Sequence, residues 1–170
     1  DCRACHDIHE TYTMQDFALK TTAPVVIYAV PGSTFDGGEG NLCVNCHQPR
    51  RDAPVAEAGV IKGISSHWGP HHGPQSSMIL GVAGAGVTGT PSGHYKGVPN
   101  TCVTCHMGDR LDHHFAPALS TCQKCHTDAK NFDINRVQTV VDSLANLLGE
   151  KLLAAGLINE NAPAGHPTVT

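Results

Sequence analysis

The sequence predicts a mainly α-helical fold of short helices and many loops, with minor β-structure and a core that side chains alone do not fill. Aromatic residues make up only 5% of the 170 residues and charged residues only 15%, whereas Gly (18) and Pro (11) are frequent. Large apolar rings are therefore scarce, yet the charge is too low for a disordered chain. The chain also contains eight Cys and 12 His. We expect groups bound to these residues to supply the missing core.

The cysteines form four C-x-x-C pairs, numbered here motifs one to four in chain order, and a histidine directly follows each pair. The cysteines are Cys2, Cys5, Cys43, Cys46, Cys102, Cys105, Cys122 and Cys125. The histidines are His6, His47, His106 and His126. C-x-x-C-H is the signature of covalent c-type haem attachment. The motifs therefore predict four haem c groups, with these four histidines as proximal iron ligands.

Two other chemistries use paired cysteines. Zinc is bound by such pairs, and a single C-x-x-C can be redox-active in a thioredoxin-like fold. Neither needs a histidine directly after the second cysteine at four places, so we favour haem. The flat faces of four porphyrins would provide apolar surface that the side chains lack. The predicted fold is thus a multihaem cytochrome c, with a core formed by four covalently attached haems.

We expect a single tetrahaem domain over residues 1–170, with a haem-binding region at 1–130. A C-terminal amphipathic helix is predicted over 133–158, with Asp133 as its N-cap and a tail at 159–170. The helix follows from apolar residues at steps of three and four. These are Ile134, Val137, Val141, Leu144, Leu148 and Leu152. We expect this stripe to lie on haem faces, while a partner-binding or dimerising helix is the alternative.

Smaller elements are predicted between the motifs. Residues 22–30 are β-branched and expected to be extended, residues 31–40 form a Gly-rich loop, and a short helix is expected over 75–84. Only 20 positions separate Cys102 from Cys122. We therefore expect haems three and four to be neighbours in space.

Each iron needs a second axial ligand, and this ligand sets the function of the haem. Two histidines give a low-potential electron-transfer centre, whereas an open position permits catalysis. Eight histidines remain for this role: His9, His67, His71, His72, His94, His113, His114 and His166. With histidine in excess, Met14, Met78 and Met107 are not expected to bind iron. The composition thus favours four bis-histidine haems.

Several segments around these histidines match a known pattern. They are residues 5–9 (CHDIH), 68–75 (WGPHHGPQ), 93–94 (GH), 98–102 (VPNTC) and 112–117 (DHHFAP). Together they resemble the tetrahaem extracellular cytochromes that polymerise into filaments, the OmcE-like cytochrome nanowires. The resemblance covers roughly residues 1–126 and the C-terminal helix. The sequence is also similar in part to larger periplasmic multihaem cytochromes related to nitrite and hydroxylamine enzymes.

The resemblance implies a set of distal ligands. His71, His94 and His113 match distal haem ligands of the family, and a histidine placed like His9 ligates a haem of the adjacent subunit. The neighbouring His72 and His114 leave two doublets open. From the spacing alone, His6 and His9 are expected to share a helical face, so one haem cannot use both. The porphyrin that His9 binds then belongs either to this chain or to the next one.

We therefore expect a non-enzymatic electron-transfer protein, assembled head to tail into an extracellular conductive filament. A monomeric periplasmic shuttle is the alternative, and a reductase of a small oxyanion is less favoured. Haem attachment of this type normally takes place outside the cytoplasmic membrane, which supports an exported protein. Residue 1 is therefore expected to be a processed start. A formal net charge of −4 argues against nucleic acid as a partner. The apolar run at 25–30 is too short to span a bilayer.

Overall fold

The computed structural model describes residues 1–51, 56–61, 73–84, 86–87 and 89–158. The chain divides into two compact units, Asp1–Ala118 and Leu119–Thr170. The first unit contains motifs one to three, and the second contains motif four together with the C-terminal helix. The expected neighbourhood of haems three and four therefore stays a prediction, as does the single tetrahaem domain.

The described elements are short, apart from the last helix. Unit one has the strands β1 (Val25–Val26) and β2 (Thr34–Phe35), and the helices α1 (Gly40–Val44), α2 (Gln75–Leu80), α3 (Gly93–Gly97) and α4 (Cys102–His106). Its 3-10 helices are Cys2–Ala4, Met14–Phe17 and Gly108–Arg110. Unit two has α5 (Leu119–Cys122), the 3-10 helix Ile134–Arg136 and α6 (Val137–Ala154).

The expected extended segment at 22–30 forms one half of a small hairpin. Its strand β1 pairs antiparallel with β2, with Val25 opposite Phe35 and Val26 opposite Thr34. The structure differs from the prediction here, because β2 lies inside the segment expected to be a loop. The alternation explains the pairing: Val25, Ile27 and Phe35 are buried, whereas Val26 faces solvent.

The side-chain core lies in unit one and is small. It consists of Val25, Ile27, Phe35, Val44, Leu80 and Tyr95. The Phe35 and Tyr95 rings lie 5.2 Å apart, and the Tyr95 hydroxyl accepts a hydrogen bond of 2.8 Å from the Asp36 amide. This hydroxyl bond joins α3 to the end of the hairpin. A core of this size agrees with the low aromatic content of the sequence.

Helix α2 is shorter than the helix predicted over 75–84. It ends at Leu80 because Gly81 adopts a left-handed conformation (φ 69°). The Val82 amide then donates a hydrogen bond of 2.9 Å to the Ser77 carbonyl, which gives this carbonyl in the last turn of the helix a partner. A side chain at Gly81 would also collide with the backbone of Thr90. Glycine is therefore required at this helix end for two reasons.

Helix α6 begins four residues after its predicted N-cap. Asn135 and Arg136 adopt left-handed conformations (φ 55° and 60°), so a 3-10 turn precedes the α-helix. The Asp133 carboxylate still accepts from the Gln138 amide at 2.7 Å and from the Thr139 amide at 3.3 Å. The Thr139 hydroxyl, with these amides, holds the pKa of Asp133 below its usual value. The predicted cap thus acts on the first turn of α6 from outside the helix.

The apolar stripe of α6 is exposed. None of the 18 helix residues is buried, and Val137, Leu144 and Leu148 each expose more than half of their surface. An isolated helix gains little stability without burial of its apolar face. Neither α6 nor any other helix in the described ranges is long and apolar enough to cross a membrane. Within the described ranges, no side chains bury the apolar stripe of α6.

Candidate haem-binding site

Each C-x-x-C-H motif forms one helical turn. In motifs one, two and four, the amide of the histidine donates to the carbonyl of the first cysteine, at 3.0, 2.9 and 2.8 Å. In motif three, the same five residues are helix α4. One turn brings the two cysteines and the histidine of a motif close together. All eight cysteines lie in the described ranges, and no two of them form a disulfide.

Hydrogen bonds to backbone carbonyls orient the rings of two of the predicted proximal histidines. The Nδ1 atom of His6 lies 3.3 Å from the carbonyl oxygen of Ala18, and Nδ1 of His106 lies 3.0 Å from that of Phe115. A carbonyl oxygen only accepts, so Nδ1 must be the donor in both rings. The other ring nitrogen, Nε2, then carries a lone pair for a metal. Metal-ligating histidines are typically oriented by such a bond.

The structure brings His6 together with His113. Their ring centroids are 6.1 Å apart, with an interplanar angle of 42°. Two imidazoles on opposite sides of one metal, with metal–nitrogen bonds of about 2 Å, place their centroids about 6 Å apart. The distance between the two rings would thus allow both to bind one metal ion, which agrees with the bis-histidine haem predicted at motif one.

The neighbouring His114 is held in a different way. Its amide donates to the Asp112 carboxylate at 2.9 Å, and its Nδ1 lies 2.6 Å from the same oxygen. The His114 side chain is 89% exposed. Asp112 therefore keeps His114 in solvent, whereas His113 is beside His6. Of the doublet His113 and His114, which the sequence leaves open, His113 is the member that lies near a predicted proximal histidine, His6.

Motifs two and three meet through the N-terminal ends of their helices. The Thr101 hydroxyl donates to the Gly37 carbonyl at 3.1 Å, and the Glu39 amide donates to the Asn100 side chain at 3.2 Å. In the thiol form, a hydrogen bond between Cys43 and Cys102 raises the pKa of Cys43 and lowers that of Cys102 to about 6. The attachment points of two predicted haems are therefore adjacent.

The approach of these helices depends on Gly40. A Cβ atom at Gly40 would lie 2.9 Å from the Asn100 carbonyl oxygen and 3.2 Å from the Cys102 amide, and would collide with the Thr101 hydroxyl. We expect Gly40→Ala to lower the free energy of unfolding by about 1–3 kcal/mol, the usual cost of overpacking. Denaturant unfolding of the haem-loaded protein measures this change.

Gly97 is the matched control for this prediction. It also lies in a short helix of unit one, but a Cβ atom there has no neighbour within 4 Å. We expect Gly97→Ala to change stability by less than about 1 kcal/mol. Equal stability of Gly40→Ala and Gly97→Ala would contradict the close approach of motifs two and three.

The remaining predicted ligands lie in different surroundings. His94 is the second residue of α3, and its Nδ1 lies 3.4 Å from the Ser92 hydroxyl. His47 is exposed and His126 is half-buried. His71 lies outside the described residues, as do His67, His72 and His166. The partners of these histidines stay predictions.

His9 is exposed, and its surroundings differ from the expectation. Residues 5–9 are not helical, because His6 forms an antiparallel bridge with Leu19 and His9 has a left-handed backbone (φ 66°). The two histidines therefore do not share a helical face, and the argument from a shared face is wrong. The two also differ in their contacts, since the ring of His6 lies beside His113 and that of His9 lies 6.1 Å from the Tyr12 ring.

Sequence reasoning missed one residue of this region, Asp16. Its carboxylate is buried and accepts hydrogen bonds from the backbone amides of His9, Thr11 and Tyr12. The pattern Thr13-x-x-Asp16 is that of a capping box and could have indicated a turn. It could not have indicated the bond to His9, because that bond spans seven residues.

Within the described ranges, no three His, Cys, Asp or Glu side chains are grouped to hold a metal ion by themselves. A bis-histidine haem iron takes only two ligands from the protein, and His6 and His113 could provide them. In comparisons with known proteins, no protein-family model, curated protein or solved structure matches the chain. The class of site therefore rests on the geometry of these residues.

Proposed function

We propose that the chain is a tetrahaem c-type cytochrome that transfers electrons along a closely spaced row of four bis-histidine haems. The observation that carries the proposal is the pair of His6 and His113, whose ring centroids are 6.1 Å apart beside a C-x-x-C turn. The same turn recurs at all four motifs. Four equal turns with paired thiols agree with four copies of one cofactor.

When bound, haem supplies a one-electron iron couple, and two histidine ligands give it a low potential. The chain holds the ligands in place: the Ala18 and Phe115 carbonyls fix the rings of His6 and His106. Two histidine ligands on a haem iron would leave no position for a substrate. We therefore propose an electron-transfer role rather than an enzymatic one.

The proposed assembly is a head-to-tail homopolymer outside the cell. His9 is exposed, while the proximal histidine of its own motif is already beside His113. A histidine displayed in this way can reach a haem of the next subunit. A heterologous contact of this kind that does not close into a ring produces an open filament. The motif pattern, as a resemblance, supports the same arrangement.

The exposed stripe of α6 agrees with a protein that depends on its cofactors. No residue in the described part of unit two is buried, although that unit contains motif four. We propose that haem faces cover the apolar residues of α6. Haem four is the candidate within that unit, since its attachment points, Cys122 and Cys125, belong to it.

Electron microscopy of the native protein, purified without denaturant, tests the proposed assembly. Long unbranched fibres with a regular subunit repeat are the expected result. Only small, discrete particles would overturn the filament and leave the monomeric periplasmic shuttle. The mass of the denatured chain separately tests the haem class, because four thioether-linked haems survive unfolding. A chain mass without haem would overturn the whole proposal.

A further inference from the structure

Residues 9–17, named here the His9 loop, display large side chains to solvent. Tyr12 is 83% exposed, Met14 80% and Phe17 63%, and His9 is exposed as well. Exposed aromatic and Met side chains grouped on one segment are typical of protein interfaces, in which these residues are enriched. The imidazole of His9 is thus displayed together with apolar side chains on one short segment.

Asp16 is the one buried residue of this loop (7% exposed), and it organises the others. Its Oδ2 atom accepts from the amides of His9 (2.9 Å) and Tyr12 (3.0 Å). Its Oδ1 atom accepts from the Thr11 amide (2.8 Å) and the Thr11 hydroxyl (2.6 Å). Both carboxylate oxygens are therefore used twice. Hydrogen bonds to an ionised carboxylate are stronger than those between neutral groups.

The conformation of the loop requires such a partner. His9 and Tyr12 both have positive φ (66° and 58°), which side-chain-bearing residues rarely adopt. The two amides that Oδ2 binds belong to these two residues. The carboxylate thus compensates an unfavourable backbone at the residue that displays the imidazole. Without it, the loop has no described contact that fixes the His9 backbone.

We propose that Asp16 is a positioning residue that pre-organises the His9 loop as a docking element for a second copy of this chain. The inference rests on the proposed function, in which His9 binds a haem of the next subunit. Within that function a second copy is the fitting occupant, because each copy carries four haem motifs and His9 would bind an iron whose second axial position its own chain leaves open. Tyr12, Met14 and Phe17 would be covered in the same contact. Fixing a loop before binding lowers the entropic cost of association.

Asp16→Asn tests the inference, since the amide keeps the shape but replaces one oxygen by a donor. At the Oδ2 position the new donor faces the amides of His9 and Tyr12 and both hydrogen bonds are lost, and at the Oδ1 position it faces the Thr11 amide and that bond is lost. We expect the subunit concentration needed for filaments to rise by about 10- to 100-fold. In dilute samples, the fraction of five-coordinate high-spin haem should rise with it. A role in stability alone would not change the spin state.

Glu10→Gln is the matched control, because it removes the same charge from the same loop and leaves the bonds to Asp16 in place. We expect this variant to polymerise as the wild type does. Thr11→Val provides a milder change, because the Thr11 amide keeps its bond to Asp16. The variant removes the bonds of the Thr11 hydroxyl to Asp16 and to the amide and hydroxyl of Thr13, with an expected rise of about 2- to 10-fold. This variant decides the question if Asp16→Asn fails to retain four haems, as measured by mass.

The outcomes separate the inference from the proposed function. If His9→Ala prevents filaments but Asp16→Asn, with four haems, forms them at the wild-type concentration, the positioning role is overturned and the function stands. If Thr11→Val and Glu10→Gln behave alike, the positioning role is likewise overturned. If His9→Ala itself forms normal filaments, the proposed bond between subunits is the part that fails.

Discussion

Replacing His9 by alanine is expected to abolish filaments while all four haems remain attached. The thioether bonds involve cysteines only, so the substitution leaves every C-x-x-C-H motif intact. The bond lost is the proposed axial ligand that one subunit gives to its neighbour. Because that bond is metal–ligand coordination, its loss should weaken assembly more than the loss of any surface hydrogen bond.

Three measurements on His9→Ala separate these effects. Electron microscopy should detect discrete particles in place of fibres, and mass spectrometry should detect four haems. Absorption spectra should detect about one haem in four as five-coordinate and high-spin, because one iron per subunit lacks a ligand. Free imidazole should restore the low-spin spectrum without restoring fibres, since it occupies the iron but joins no subunits.

Normal fibres from His9→Ala would exclude His9 as the bond between subunits. The exposed loop would then need another purpose, and a partner for His9 would have to be sought within the chain. Discrete particles with four fully low-spin haems would also contradict the prediction. In that case His9 would contribute to assembly through surface contacts rather than through an iron.

Local patterns in the sequence predict the local parts of this structure. The helical turns of the four motifs and the apolar periodicity of α6 depend on residues a few positions apart. Asp133 was predictable as the start signal of α6 for the same reason. Its helix begins later because Asn135 and Arg136 have positive φ, which nothing in their residue types requires.

Contacts between distant segments could not be predicted in this way. Gly40 meets Thr101 across 61 positions, a spacing that Glu39 and Asn100 share. A glycine and a threonine in loop-rich sequence carry no signal of such a contact. The sequence also gives no signal of the Ala18 and Phe115 carbonyls that orient two histidines, because every residue type has a carbonyl. These contacts appear only when the chain is folded.

The two His doublets illustrate the same limit. The sequence leaves His114 open as an alternative to His113, which the resemblance favours. In the structure the two are distinguished by a local bond between His114 and Asp112 and by a distant neighbour of His113, His6. The first of these could have been noticed, because Asp residues bind the backbone two residues ahead. The second could not. For His71 and His72, which lie outside the described residues, the choice stays open.

His113→Ala should therefore have a large effect that His114→Ala lacks. Loss of His113 leaves an iron held by His6 without its second ligand, so about one haem in four should become high-spin and bind carbon monoxide after reduction. His114→Ala is the matched control, because that ring is 89% exposed and bound to Asp112. Its spectrum should equal that of the wild type.

The comparison of these two variants decides the ligand of haem one independently of assembly. Filaments should persist in both, because His113 and His6 belong to one unit of the same chain and the proposed bond between subunits is elsewhere. A high-spin haem in His114→Ala, with a normal spectrum for His113→Ala, would reverse the assignment. Normal spectra for both would mean that His6 and His113 do not share an iron, and the support that this pair gives to the proposed function would be lost.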